Sequence, residues 1–243
     1  MLWHLLVAAM VKLKKVCVFL CYFKIEYLTL LQNSILYMKN TAHIRNNKLT
    51  VLIPFMNEGE EVAATVRDVR RTAGMGVDVI VVNDCSTDGY DYKKDLEQYK
   101  ITYIENKENT GSAPSRDICV QNCNTPYFLF LDAHMRFFCD NWVEEIVDIL
   151  EKDDRQLLCL HTISLKKDEA GVHINKNDSL AYGAYMPLDI DNSLPDIKWN
   201  RKEFDSKSSV QEIPMILGAA YAGSKRYWQY LRGMEGMMDE FTN

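Results

Sequence analysis

From Lys48 onward, hydrophobic and polar residues follow two alternating patterns, one typical of strands and one typical of helices. Short apolar runs of the kind found in buried strands lie between segments whose apolar residues recur every three or four positions. The predicted strands are 49–54, 78–82, 101–104, 127–131 and 156–163, and the predicted helices are about 58–72, 90–100, 111–123 and 142–150. Strands and helices that alternate with short connections predict an α/β fold, with a mostly parallel sheet flanked by helices.

Polar residues and glycine mark several predicted helix ends. Asn57 and Asn141 are predicted N-caps, because a side-chain oxygen can accept a hydrogen bond from a free N–H of the first turn. Gly74 is predicted to end the first helix. After Ser164 the pattern is less regular: 166–177 is polar, 189–204 resembles a long loop, and a strand at 210–222 and a helix at 224–231 follow.

Residues 1–47 form a separate, basic and apolar N-terminal segment. Its apolar runs, 1–11 and 16–23, are shorter than the roughly 20 residues that a helix needs to span a bilayer. Apolar residues between 28 and 38 follow helical spacing, so the segment could lie on a membrane surface as an amphipathic helix. Two alternatives stay open: a helix packed on the main domain, or a non-native extension upstream of a natural start at Met38.

The charge distribution limits the partners. The chain of 243 residues is 47% hydrophobic and 26% charged, which is typical of a globular protein, and its formal net charge is -6. Residues 1–48 carry seven cations and one acid, so the remainder has a net charge of -12. Because phosphate contacts need clustered lysine and arginine, this acidic body argues against nucleic acid as the main partner. It also suits a site that holds a divalent cation.

The cysteines bear on the compartment. There are seven, and they contain no Cys-x-x-Cys pair and no zinc-ligand spacing. An odd number without a framework predicts reduced thiols and a cytoplasmic location, at the membrane surface if the N-terminal segment binds there.

Polar and acidic clusters follow four of the predicted elements, at 54–58, 83–89, 109–111 and 132–134. The carboxyl ends of parallel strands meet at one edge of a sheet, where ligands bind in open α/β folds. Asp132 and His134 are two residues apart, so on an extended segment their side chains point the same way. Such a pair could bind Mn²⁺ or Mg²⁺ and leave positions for substrate phosphates, or it could be a capping aspartate beside an ordinary surface histidine.

Five motifs lie along this edge: IPFMNE at 53–58, VVNDCSTDG at 81–89, ENKENTG at 105–111, SRD at 115–117 and FLDAH at 130–134. Together they resemble the nucleotide-sugar half of a family 2 glycosyltransferase, and the Asp-x-His variant resembles the polypeptide N-acetylgalactosaminyltransferases. Residues 218–228 and 231–237 look like the acceptor-side segment of that group. The resemblance covers roughly 48–241 and implies a GT-A fold, with a nucleotide-sugar half at 48–164 and an acceptor half at 165–243 that looks incomplete.

The resemblance also implies roles for particular residues. Arg116 would lie near the diphosphate, and Asp132 with His134 would hold Mn²⁺ or Mg²⁺. Asp239 and Glu240 would be the catalytic acids at a shortened spacing, unless the chain ends before that pair. The residues that it assigns to the base and ribose pocket are Pro54, Glu58, Asn83 and Asp84.

These expectations lead to one function and two alternatives. The leading prediction is a metal-dependent enzyme that moves a sugar from a nucleotide-diphosphate sugar, with a UDP-sugar favoured, to a glycan, lipid or protein acceptor that the sequence does not identify. One alternative is a non-catalytic nucleotide-sugar-binding remnant, because the C-terminus comes early. The other is a nucleotidyltransferase on a similar sheet, which would release pyrophosphate from a nucleoside triphosphate.

Overall fold

The structure is a computed structural model that describes residues 48–168, 171–175, 178–187, 197–201 and 210–234. The predicted N-terminal segment 1–47 lies outside the described residues, as do Asp239 and Glu240. Within the described ranges, no helix is both long enough and apolar enough to cross a membrane.

The centre of the fold is a six-stranded sheet. Numbered in chain order, the described strands are β1 (Leu49–Phe55), β2 (Asp78–Asn83), β3 (Thr102–Glu105), β4 (Tyr127–Leu131), β5 (Leu158–Cys159), β6 (Leu165–Asp168), β7 (Gly171–Ile174), β8 (Ala184–Tyr185), β9 (Lys198–Trp199) and β10 (Ala220–Ser224). The order of strands in the sheet is β3-β2-β1-β4-β10-β5. Strands β1 to β4 run parallel to one another, and β10 lies antiparallel between β4 and β5. The predicted α/β fold with a mostly parallel sheet is confirmed.

Helices cover both faces of this sheet, because residues of a strand alternate between its two faces. In chain order the described α-helices are α1 (Glu61–Ala73), α2 (Tyr92–Leu96), α3 (Ser112–Asn122), α4 (Trp142–Leu150) and α5 (Lys225–Tyr230). One core joins α1, α2 and α4 to the strand residues on one face, including Val51, Ile53 and Leu129. The other core joins α3 and α5 to the opposite face, including Leu52 and Phe130.

The first helix shows how the sequence sets its own limits. Val62, Val66 and Val69 are fully buried, as the helical spacing predicts. The helix ends at Gly74, whose φ of 72° lies in the left-handed region that glycine adopts without strain, so this predicted end is confirmed.

The predicted N-cap at Asn57 is wrong. Helix α1 begins at Glu61 with Glu60 as the N-cap residue. Asn57 is itself left-handed, with φ 59°, and its side-chain oxygen accepts hydrogen bonds from the amides of Thr87 and Asp88. The Asn57 side chain therefore binds amides about 30 residues further along the chain instead of capping the helix next to it.

The C-terminal predictions differ from the structure in extent. The strand predicted at 156–163 is regular only at Leu158–Cys159, and that at 210–222 is β10, Ala220–Ser224. The polar stretch at 166–177 contains a hairpin, in which β6 pairs antiparallel with β7. A second short ribbon joins β8 and β9. Helix α5 begins where predicted, because the Ser224 hydroxyl accepts a hydrogen bond from the amide of Tyr227.

Candidate functional site

The carboxyl ends of β1 and β2 are tied to each other by their loops. The amide of Asp84 donates to the carbonyl of Phe55 at 2.8 Å. The amide of Asn57 donates to the Ser86 hydroxyl at 2.9 Å, and the Asn57 side-chain oxygen accepts from Thr87 at 2.7 Å. Two of the clusters predicted to share one edge of the sheet are therefore in direct contact.

Asp84 fastens the loop after β3 to this edge. Its carboxylate accepts hydrogen bonds from Asn106, from both the amide and the hydroxyl of Thr110, and from the amide of Gly111, all between 2.8 and 2.9 Å. Burial disfavours the charged form, but these four donors outweigh it and hold the pKa of the Asp84 carboxyl below its usual value. Asp84 is therefore an anionic anchor for the turn that starts α3.

Asn83 shapes the same edge. The side chain is buried, its amide donates to the Tyr103 hydroxyl at 2.9 Å, and its oxygen accepts from the amide of Ser86 at 2.9 Å. Pro54 is half-buried in β1 and lies opposite Val82 in the parallel register. Both residues lie at the carboxyl ends of β1 and β2, at the edge of the sheet where the base and ribose pocket was expected.

Asp132 and Arg116 meet at the end of β4. Asp132 follows the strand directly, and its amide donates to the carbonyl of Ala219 at 2.9 Å, which fixes its position beside β10. Arg116 reaches over from α3, and its Nη2 lies 4.0 Å from Asp132 Oδ1. Burial raises the pKa of the Asp132 carboxyl above its usual value, although His134 and Arg116 oppose the shift.

The Arg116 guanidinium makes several contacts within the fold. It lies over the ring of Phe130, 6.0 Å from the ring centre, and Nη1 donates to Ser112. The buried Tyr221 hydroxyl is within hydrogen-bonding reach, and burial raises the pKa of Tyr221 to about 12 despite the cation. The Nε atom is buried and has no hydrogen-bond partner among the residues that the structure describes.

His134 and Glu58 form the outer part of the site. His134 Nδ1 lies 3.2 Å from Glu58 Oε2, and the two side chains are 55% and 33% exposed. Glu58 also raises the pKa of Asp132 through its charge, which places the carboxylate near that residue. The ends of β1 and β4 thus contribute to one group of side chains.

Helix α1 holds the loop that carries His134. The buried Thr65 hydroxyl donates to the carbonyl of Ala133 at 2.6 Å and accepts from the amide of Met135 at 3.0 Å. Further along, Arg136 donates to Glu61 at 2.6 Å. The backbone on both sides of His134 is therefore fixed from behind by α1.

The side chains at the end of β4 fit a divalent cation. Asp132 supplies a partly buried carboxylate, and His134 supplies an exposed imidazole two residues away. In the described ranges, no group of three or more His, Cys, Asp or Glu is arranged to hold a metal ion by itself. The pair fits an ion that takes its remaining ligands from substrate or water.

The structure therefore brings together Pro54, Glu58, Asn83 and Asp84 with Arg116, Asp132 and His134 along one edge of the sheet. Sequence reasoning missed three supporting residues: Asn106, Thr65 and Tyr221. Asn106 lies inside a quoted motif, but its contact with Asp84 depends on the fold of the loop. Thr65 and Tyr221 lie inside a helix and a strand, where nothing in the local pattern separates them from ordinary core positions.

Comparison with known proteins finds one matching family and several related proteins. The family described as "Glycosyl transferase family 2" matches residues 50–206, which is more than half of the chain. A teichoic acid poly(glycerol phosphate) polymerase of Staphylococcus epidermidis is 34% identical over 91 residues, 36% of this chain and 13% of that protein. Polypeptide N-acetylgalactosaminyltransferase 4 of Mus musculus is 25% identical over 200 residues, 78% of this chain and 34% of that protein. The match thus spans 13% of the first relative's length and 34% of the second's.

Among solved structures, the chain is similar to the mannosyltransferase PcManGT of Pyrobaculum calidifontis, solved in complex with GDP-Man and Mn²⁺. The TM-score is 0.52 at 14% identity, and the match covers 83% of this chain and 55% of that one. This likeness concerns the fold, and it agrees with the mostly parallel GT-A type of sheet.

Proposed function

Because this chain belongs to glycosyl transferase family 2, we propose that it transfers a sugar from a nucleotide-diphosphate sugar to an acceptor, and that transfer depends on a divalent metal ion. The observation that carries the proposal is the group at the end of β4. There the partly buried carboxylate of Asp132 faces Arg116, a largely buried arginine whose Nη2 lies 4.0 Å from Asp132 Oδ1. An anion-binding and a cation-binding group side by side suit a metal–diphosphate pair.

In the proposed site, Asp132 and His134 hold Mn²⁺ or Mg²⁺. Bound there, the ion would neutralise the charge that develops on the departing nucleoside diphosphate. Arg116 contributes to the same task through its guanidinium, and its burial makes that charge more effective than it would be in water. Glu58 keeps the His134 ring oriented through the contact at Nδ1.

The base and ribose are proposed to lie against the ends of β1 and β2. Pro54 and Glu58 line this pocket directly. Asn83 and Asp84 contribute by fixing its walls, since their polar atoms already bind Tyr103, the turn that follows β2 and the loop that follows β3. A UDP-sugar is the donor that we favour.

The acceptor and the final proton transfer belong to the other half of the proposal. We assign donor binding to 48–164 and acceptor binding to 165–243. Asp239 or Glu240 is the proposed carboxylate that receives the acceptor proton if the enzyme inverts the anomeric centre. The proposed acceptor is a glycan, lipid or protein.

The mannosyltransferase of similar fold was solved with GDP-Man and Mn²⁺. That pairing supports a nucleotide sugar and a divalent ion for this chain as a class of ligands. It does not choose the base, so the test must compare bases directly.

Thermal unfolding in the presence of nucleotides tests the donor site. UDP, GDP, CDP and dTDP are each added with and without Mn²⁺ to wild type, to Asp132→Ala and to Asp140→Ala, whose exposed carboxylate lies eight residues further along. At 100 times its dissociation constant, a nucleotide adds about 2.7 kcal/mol to the free energy of unfolding. We expect a Mn²⁺-dependent increase with one base, lost in Asp132→Ala and kept in Asp140→Ala. An increase that survives in Asp132→Ala, or none with any nucleotide, would contradict the proposal.

A further inference from the structure

The stretch of chain that carries Glu58 is held on both sides of that residue. Before it, the Asn57 side-chain oxygen accepts hydrogen bonds from two amides of the loop after β2. After it, the amide of Gly59 donates to the Tyr92 hydroxyl at 2.8 Å. Both flanking residues are left-handed, with φ of 59° at Asn57 and 51° at Gly59, a conformation that glycine adopts without strain and asparagine tolerates. Glu58 therefore lies between two fixed points of the backbone.

Tyr92 is itself firmly held at the start of helix α2. Its side chain is buried, and its ring packs against Phe55 with 4.6 Å between the ring centres. Its hydroxyl donates to the Asp88 carboxylate, and this bond holds the pKa of the Asp88 carboxyl below its usual value. Because an ionised carboxylate only accepts hydrogen bonds, the hydroxyl hydrogen points at Asp88. A lone pair of the same oxygen is thus left for the Gly59 amide.

Glu58 connects this arrangement to the end of β4. Its Oε2 lies 3.2 Å from His134 Nδ1. A carboxylate at one ring nitrogen fixes the orientation in which the other nitrogen can bind a metal ion. The path from Tyr92 to the His134 ring thus consists of one backbone hydrogen bond, one residue and one side-chain contact.

We propose that Tyr92 is a positioning residue: through Gly59 it fixes Glu58, and Glu58 orients the His134 ring toward the divalent ion. The inference rests on the proposed function and deepens it, because it extends the support of the metal site to helix α2. The Tyr92 hydroxyl is engaged by Gly59 and Asp88, so Tyr92 acts through its neighbours and does not bind the ion itself.

Hydrogen exchange tests the anchor without metal, nucleotide or activity. Tyr92→Phe keeps the ring and removes only the hydroxyl, so the Gly59 amide should exchange about tenfold faster than in wild type. Tyr90→Phe is the matched control. The Tyr90 ring lies 4.9 Å from the Tyr92 ring, but its hydroxyl binds Asp95. This variant should leave the Gly59 amide at the wild-type rate, and equal Gly59 exchange in wild type and Tyr92→Phe would overturn the anchor.

Thermal unfolding tests whether the anchor acts on the metal site. Protein saturated with whichever of UDP, GDP, CDP and dTDP stabilises wild type is titrated with Mn²⁺. The Mn²⁺ concentration that gives half of the rise in melting temperature is compared among variants. Tyr92→Phe should raise this concentration at least about threefold, and Tyr90→Phe should leave it unchanged. In the Glu58→Ala background, adding Tyr92→Phe should raise it no further, because the residue through which Tyr92 acts is absent.

The outcomes separate positioning from simple stability. If Tyr92→Phe lowers the melting temperature without nucleotide but leaves the half-effect Mn²⁺ concentration at the wild-type value, the positioning role is overturned. An equal further increase in the Glu58→Ala background would overturn the path through Glu58. If wild type shows no Mn²⁺-dependent stabilisation with any nucleotide, the proposed function fails, and the positioning role fails with it, whereas the Gly59 exchange result still stands.

Discussion

At the residue scale, Asp84 shows how a buried charge can stabilise the edge of a site. Its four hydrogen bonds come from one short stretch, residues 106–111. The carboxylate therefore holds the loop after β3 in place through hydrogen bonds to its side chains and backbone amides. Because the pKa of Asp84 is lowered in the folded state, its contribution is fully present above the pKa of the unfolded carboxyl. The contribution is lost as the pH falls through the lowered folded pKa.

We expect Asp84→Asn to lower the free energy of unfolding by about 2 kcal/mol at pH 7. The asparagine NH₂ group would replace one carboxylate oxygen and would face hydrogen-bond donors that need an acceptor. Urea unfolding measured at pH 7 and again near pH 2 checks both parts: the difference between wild type and variant should shrink at the acid end. Asp140→Asn, on the surface, should change neither value. A constant difference at both pH values would contradict the assignment of the charge.

Arg116 differs from a generic cation in its geometry. Its planar group lies over Phe130, donates to Ser112 and approaches Asp132, an arrangement that a lysine ammonium cannot reproduce. Arg116→Lys should therefore weaken nucleotide binding about tenfold, which is about 1.4 kcal/mol, while the melting temperature without nucleotide changes little. Calorimetric titration measures this directly, with exposed Arg155→Lys as the control. Equal nucleotide affinity in wild type and Arg116→Lys would contradict this prediction, because the positive charge alone would then suffice.

At the element scale, helix α1 acts as the support for the loop after β4. Thr65 is fully buried and holds the backbone on both sides of His134, while the apolar face of the helix packs on the sheet. A helix that is fixed by its own core can hold a loop more firmly than the loop could hold itself.

Thr65→Val keeps the shape of the side chain and removes its hydroxyl. The hydrogen bonds to the Ala133 carbonyl and from Met135 and Arg136 are lost with it. We expect it to lower the free energy of unfolding by about 1–3 kcal/mol, because the buried carbonyl of Ala133 and the partly buried amide of Met135 lose their partner. The Mn²⁺-dependent part of nucleotide binding should also fall, whereas Thr65→Ser should restore both. Nucleotide affinity with and without Mn²⁺, measured on all three proteins, checks the prediction. If Thr65→Val binds Mn²⁺ and nucleotide as wild type does, the loop does not depend on α1.

The sequence predicted the parallel strands well and the later elements poorly, for a physical reason. Strands β1, β2 and β4 are buried on both faces, so they are continuous apolar runs and were placed within one residue of their observed ends. Strand β10 contains small residues, and the β6–β7 hairpin is polar because it stands away from the core. Such elements are defined by their partners, which a local pattern does not contain.

The site was predictable to a similar degree. Asp132 and His134 share an edge with the clusters at 54–58 and 83–89 because the carboxyl ends of parallel strands meet there, and Arg116 reaches that edge from helix α3. The partners of Asn57 and Tyr92 depend on how the loops fold, and no spacing in the sequence announces them.

At the scale of the whole molecule, the two cores support different parts of the site. The core on the α1 and α4 face supports the loop that carries His134. The core on the α3 and α5 face supports Arg116. The sheet between the two cores keeps the proposed metal ligands and the proposed diphosphate ligand in a fixed position relative to each other. Reaction at a charged leaving group requires such fixed positions.

The central claim, metal-dependent sugar transfer at Asp132, is tested most directly by release of the nucleoside diphosphate from its sugar donor. The donor is a nucleotide-diphosphate sugar that carries the base found to stabilise the protein against thermal unfolding. Wild type, Asp132→Asn and Asp140→Asn are each assayed with Mn²⁺ and with a chelator. We predict release by wild type and by Asp140→Asn with Mn²⁺, abolished by the chelator and at least about 100-fold lower in Asp132→Asn. Equal release without metal or in Asp132→Asn, or release of pyrophosphate from a nucleoside triphosphate in its place, would contradict the account.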